Sequence, residues 1–155
     1  MSDDGATLSY AVGTDVREGE RLPGMALVVF TTETGIRWLR WLRKGFRHCF
    51  VLIQDQEDAW IVYDPLCNIS VLSVLHNISE QQITSWYREC GLHVARTFIR
   101  HNPPSTFLLR PFTCVEAVKR VLGLHDRWII TPWQLYHYLE RARNGSTETL
   151  DIGTR

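Results

Sequence analysis

The chain has 155 residues, 45% hydrophobic and 22% charged, which is enough for one domain with a sizeable core and short for two. Seventeen Lys and Arg cancel seventeen Asp and Glu, so no global field points to nucleic acid or to an acidic partner. The opening "MSDDGATLSYAVGTDVREGERLPG" is polar and acidic, and no later stretch approaches the ~20 uninterrupted apolar residues of a membrane span, so a cytoplasmic chain with neither export signal nor anchor is expected.

Residues 1–20 read as a flexible N-terminal segment, 21–145 as a single domain and 146–155, after Asn144-Gly145, as a polar C-terminal tail. Within the domain "MALVVF" (25–30) predicts a buried strand and "TETGIRWLRWLRKG" (32–45) a short helix ended by Gly45. "HCFVLIQ" (48–54) and "AWIVYD" (59–64), separated by a polar turn, read as a hairpin, and "ISVLSVL" (69–75) continues the sheet. Ser79 with Gln82 forms a capping box that opens a helix closed by Gly91. "HVARTFIR" (93–100) and "TFLLR" (106–110) return as strands around the loop "HNPPS". Thr113 with Glu116 predicts a second capping box, opening a helix in which Val115, Val118, Val121 and Leu122 recur at helical spacing, with Lys119 and Arg120 near its end and Gly123 as its stop. Thr131-Pro132 supplies an N-cap followed by proline at the first helical position for "WQLYHYLERAR". The expected class is α+β, a mainly antiparallel sheet packed with helices, without internal repeats.

Cys114 is the first residue of the helix that Thr113 caps. A thiol there feels the positive end of the helix dipole and unpaired amides, both of which favour the nucleophilic thiolate. The plainer alternative is a small apolar residue filling a gap. Cys49, Cys67, Cys90 and Cys114 are spread through a chain of ordinary domain size, which favours reduced thiols over a disulfide scaffold. A nucleophilic cysteine needs a base, and imidazole has the suitable pKa. Of His48, His76, His93, His101, His125 and His137, His48 stands out because it opens an apolar strand at a sheet end. His93 also opens a strand and is its main rival; His76, His101 and His125 fall in turns, and His137 on the last helix between tyrosines. If Asp55, Gln56 and Glu57 form a three-residue loop, position 54 faces 58 and 48 faces 64, which would let Asp64 orient His48 across ~5 Å between Cβ atoms. A slip of one residue would set Pro65 there instead and turn Asp64 to the other face. "YDP" is also an ordinary strand exit. No spacing of structural zinc type, phosphate loop or dinucleotide fingerprint is present, so neither metal nor cofactor is expected.

Taken in order, "LPGMALVVF", "TGIRWLRWLRKGFRHCFVLI", "FTCVEAVKRVLG" and "ITPWQLYHYL" resemble the opening strand, the helix leading to the base histidine, the nucleophile helix and the closing helix of the circularly permuted NlpC-like, papain-like cysteine hydrolases, which include the lecithin:retinol acyltransferase relatives. The likeness covers residues 22–143. It implies a papain-like fold with Cys114 as nucleophile, His48 as base and Asp64 as orienting group, in the reverse of the unpermuted order. Cys49 and Phe50 after His48 are bulkier than the residues relatives often carry there, and Thr113 stands where many have Ser or Asn. Those departures bear on the shape of the pocket. The implied chemistry is attack on a peptide, amide or ester carbonyl through a thioester, by a peptidase, amidase or acyltransferase, with the Cys114 N–H as one oxyanion donor and the second donor unassigned.

In "GIRWLRWLRKGFR" Arg37, Arg40, Arg43 and Lys44 fall on one side of a helix and Trp38, Leu39, Trp41 and Leu42 on the other. An interfacial helix on anionic lipid would explain this pattern; a core-packed helix with a solvated basic face explains it as well and is favoured. Two functional classes stand: a thiol hydrolase or acyltransferase, and a catalytically silent binding or assembly module in which residues such as Trp128 and Trp133 form a contact surface. An intracellular substrate is as open as cell-wall peptides reached from a phage particle or after lysis.

Overall fold

The computed structural model describes residues 24–32, 41–55, 59–66, 69–100 and 113–148. The protein is α+β; the described residues form five antiparallel strands and three helices in the order β1 (Met25–Thr31), β2 (His48–Gln54), β3 (Ala59–Pro65), β4 (Ser70–His76), α1 (Glu80–Glu89), β5 (His93–Phe98), α2 (Cys114–Val121) and α3 (Pro132–Glu148). The strands lie side by side as β4-β3-β2-β1-β5.

Strand β1 is apolar without interruption because both of its faces are covered. Ala26, Val28 and Phe30 join Cys49, Val51 and Ala95 beneath α2 and α3, against Val115, Val118, Leu122, Leu135 and Leu139. Leu27 and Val29 join Leu52, Trp60 and Val94 on the opposite face, against Ile83 of α1. The result is three layers, with α1 on one side of the sheet and α2 and α3 on the other. No described helix is long and apolar enough to cross a membrane.

Both arms of the Ser79–Gln82 capping box are present: the Ser79 amide donates to Gln82 Oε1 at 2.9 Å and the Gln82 amide to Ser79 Oγ at 3.3 Å. A third box, unnoticed in the sequence although it has the same S/T-x-x-E/Q spacing, opens α3. Here the Gln134 amide donates to Thr131 Oγ1 at 3.3 Å and the Thr131 amide to Gln134 Oε1 at 3.0 Å. At α2 the Thr113 hydroxyl accepts the Glu116 amide as expected, whereas the Glu116 carboxylate takes Lys119 Nζ at 3.0 Å and lies 3.6 Å from Arg120 Nε.

Three readings of the elements need amendment. Lys119, expected as a charge near the end of α2, is only 1% exposed; its ammonium donates to Glu116 and, at 3.0 Å, to the Ile129 carbonyl, which ties α2 to the segment before α3. Helix α3 runs through Gly145 to Glu148, into the stretch read as a tail, because helical hydrogen bonding tolerates one glycine at a modest cost. Of the helix expected over 32–45, residues 33–40 lie outside the described ones; residues 42–45 are not helical, and Gly45 has φ +89. Trp41, expected on its packed side, is 94% exposed, and Arg43 lies over the Trp133 ring at 3.7 Å. The strand expected at 106–110, Cys67, residues 1–20 and residues 149–155 also lie outside the described residues.

Candidate active site

At the end of the sheet where β2 begins, its two ladders differ in length. Strand β2 pairs with β1 along its whole length, from Ala26↔Ile53 to Thr31↔His48, but its pairing with β3 runs only from Gln54↔Trp60 to Val51↔Tyr63. His48, Cys49 and Phe50 therefore extend past the β2–β3 ladder, and the N-terminus of α2 packs against these two strands.

The hairpin register differs from the expected one by two residues. Gln54 faces Trp60, not residue 58, because the connection is longer and closes through the Asp55 amide donating to the Ala59 carbonyl at 2.8 Å. A shift of two preserves the face of every side chain, where a shift of one would reverse it. Continued one step past its last pair, this register sets Asp64 across from Phe50, so His48 meets Asp64 on the diagonal. The expected partnership survives: His48 Nε2 lies 2.6 Å from Asp64 Oδ1. The His48 side chain is 12% exposed and that of Asp64 29%, so the pair is shielded while its carboxylate keeps some access to water.

Cys114 occupies the first position of α2. The Thr113 hydroxyl takes the Glu116 amide and the Thr113 carbonyl takes the Ala117 amide at 2.9 Å, so the Cys114 and Val115 amides are the ones at the open end of the helix. Cys114 packs against the apolar cluster that contains Cys49, and the neighbouring Cys49 and His48 are the groups that act on its sulfur. With Nε2 held by Asp64, Nδ1 is the ring nitrogen left for the sulfur.

These contacts set the charges. Cys114 is lowered to about 5, first by the hydrogen bond from Cys49, against the opposing effect of burial, and further by the hydrogen bond and positive charge of His48 and by the Cys49 backbone. Burial of His48 works against its charged form, but the hydrogen bonds to Asp64 and Cys114 and their negative charges outweigh it and raise the imidazole to about 9. Near neutral pH the arrangement is a thiolate beside an imidazolium that is anchored by a carboxylate. Chemically that is a nucleophile with a proton donor at its side. Burial, followed by the hydrogen bond with Cys114 and the charges of Cys114 and Asp64, pushes the Cys49 thiol well above its ordinary value, so Cys49 stays protonated and its S–H donates. Burial and then the charge of Asp64 raise Tyr87 as well.

Cys114, His48 and Asp64 thus meet. His93, the rival base, stacks on Phe46 with ring centroids 4.6 Å apart, and His137 packs edge-on to Trp133 at 3.9 Å. Both belong to the aromatic group around Phe46, Trp133 and Tyr136. The residue that sequence reasoning undervalued is Cys49, which it weighed as a reduced thiol and as bulk after His48 without linking it to Cys114. The available signal was alternation: the neighbour of a histidine at a strand start points to the other sheet face, where the nucleophile helix packs. Two clefts of about 340 and 320 Å³ lie along α1, and neither is lined by Cys114, His48 or Asp64. Among the described residues no three His, Cys, Asp or Glu side chains are gathered to hold a metal ion. Comparisons with protein-family models, with curated proteins and with solved structures find no match.

Proposed function

We propose that the protein is a thiol-dependent hydrolase, a cysteine peptidase or amidase, or an acyltransferase, which forms a thioester between Cys114 and the acyl part of an amide or ester, on a permuted papain-like fold of NlpC type. The observation that carries this reading is the 2.6 Å contact of Asp64 with His48, together with a sulfur at the start of a helix whose thiolate the nearby His48 favours. The fold supports it too. Base and acid stand on neighbouring antiparallel strands and the nucleophile opens a helix laid against them, in the chain order that the family resemblance implies.

In the proposed reaction the Cys114 thiolate attacks the carbonyl carbon, and the electron pair of the C=O bond moves onto oxygen. The Cys114 amide, at the open end of α2, donates to that oxyanion; loss of one such donor typically costs ~10²–10³ in rate. Collapse of the intermediate expels the amine or alcohol, which takes a proton from His48 Nδ1. Neutral His48 then accepts a proton from the water or other acceptor that attacks the thioester, and the second collapse returns thiolate and imidazolium. Asp64 holds the ring in place throughout. The acceptor in the second half decides between hydrolysis and transfer.

Alkylation tests the reading without a known substrate. At pH 6 a thiol with pKa about 5 is mostly thiolate. An ordinary thiol near pKa 8.5 is almost all protonated; allowing for the weaker nucleophilicity of the more acidic thiolate, Cys114 should react with iodoacetamide roughly tenfold faster. Peptide mapping gives the rates at Cys114 and at exposed Cys90 in one experiment. His48→Ala is expected to slow this labelling, because the favourable contribution of the imidazolium is lost while that of Cys49 remains. Slow labelling of Cys114 in both proteins would instead favour a silent binding module, with exposed Trp128 on its contact surface.

A further inference from the structure

Cys49 is a nucleophilic group that the proposed reaction leaves without a chemical step. It follows His48 on β2 and is fully buried in the cluster of Phe30, Val51 and Val115 on which α2 packs and against which Cys114 lies; its thiol is also the group that most favours the Cys114 thiolate. Two free thiols far apart in sequence are therefore brought into one cluster where α2 packs on β2, one sealed and one partly exposed.

We infer that Cys49 and Cys114 form an oxidisable pair, in which a peroxide oxidises Cys114 and Cys49 captures the product as a disulfide that switches the site off reversibly. The inference rests on the reading of Cys114 as a thiolate nucleophile. In the first step the Cys114 thiolate attacks one oxygen of hydrogen peroxide, the O–O bond breaks, and one proton from solvent completes the leaving water, which yields a sulfenic acid at Cys114. In the second step Cys49 sulfur attacks the sulfenic sulfur, the S–O bond breaks, and the Cys49 proton leaves with the hydroxide as a second water. Two thiols are oxidised by two electrons, and one peroxide is reduced to two waters.

Access and charge favour this order. Peroxide reaches the partly exposed sulfur first, because Cys49 is closed off by the core. Conversion of Cys114 to a neutral sulfenic acid removes the negative charge that helps to keep Cys49 protonated, so the second thiol becomes easier to ionise when it is needed. The product is a neutral bridge in an apolar cluster, with no charge left unpaired by its formation.

The test treats the full chain with hydrogen peroxide at pH 7, traps free thiols with N-ethylmaleimide and maps the peptides by mass spectrometry. The expected result is a Cys49–Cys114 linked peptide, an intact mass lower by about 2 Da before alkylation and return of iodoacetamide reactivity on treatment with dithiothreitol. Cys49→Ala and the near-isosteric Cys49→Ser should instead carry Cys114 on to the sulfinic acid, about 32 Da heavier, which dithiothreitol does not reverse. Rapid alkylation of Cys114 in the untreated protein, combined with sulfinic acid in place of the linked peptide after peroxide, would overturn the pair and leave the proposed function standing. Cys114 that reacts no faster than Cys90 with either reagent would overturn both.

Discussion

Burial alone would leave both Cys114 and His48 neutral, because removing either charge from water is costly. The hydrogen bonds of Cys49, His48 and Asp64 reverse that preference, and the two groups titrate as a coupled system with a thiolate–imidazolium window between about 5 and about 9. Below the lower value the sulfur carries a proton and cannot attack; above the upper one His48 has no proton for the leaving group. Turnover measured against pH is therefore expected to be bell-shaped with limbs near those values. Asp64→Asn removes the carboxylate charge while keeping the size of the side chain. The His48 pKa should then fall from about 9 by more than one unit, which draws in the alkaline limb; an NMR titration of the imidazole reads this directly. An unmoved titration in Asp64→Asn would remove Asp64 from the role of orienting group.

Each of the three helices begins at a Ser or Thr whose hydroxyl accepts an amide three residues on. For α3 this box is the start signal, since Pro132 has no amide to satisfy and Thr131 carries the cap. Thr131→Ala is expected to cost about 1 kcal/mol, or ~2–4 °C in melting temperature for a chain of this size, read by calorimetry. The end of α2 is set by a different constraint. Gly123 adopts φ +65, and a Cβ there would collide with the carbonyl oxygen of Arg100, whose own amide donates to the Leu122 carbonyl at 3.1 Å. Both the backbone conformation and the close approach demand glycine. Gly123→Ala should destabilise by roughly 2 kcal/mol or more and lower the urea midpoint, since backbone offers no flexible tip that could move aside. A variant as stable as the parent would mean that the Arg100 segment can leave α2 freely.

Across the molecule protection is uneven. Strand β1 is covered on both faces and paired on both edges, whereas among the described residues β4 pairs only with β3 and exposes Val71, Leu72 and Val74. Amides of Leu27, Val28 and Val29 are expected to exchange with deuterium only on global unfolding, and those of β4 by faster local opening. Equal protection in the two strands would mean that another surface covers the β4 edge in solution. The same contrast explains what could be read early. Apolar runs, caps and stop glycines are local signals, so "MALVVF", Ser79–Gln82 and Thr113–Cys114 identified strand β1 and the starts of α1 and α2 without reference to the rest of the chain. The shared face of His48 and Asp64 was also legible, because alternation survives an error of two in register. Lys119 could not be placed in this way, since a lysine near a helix end reads as solvated until the Ile129 carbonyl and Glu116 are known to enclose it. Nor could Cys49: only the packing of α2 on the sheet brings its thiol to Cys114. Local pattern decides which segments become helix or strand because hydrogen bonding and side-chain period act over a few residues; which charges survive at the sheet end depends on groups distant along the chain, and only their convergence in space sets the balance between desolvation and hydrogen bonding.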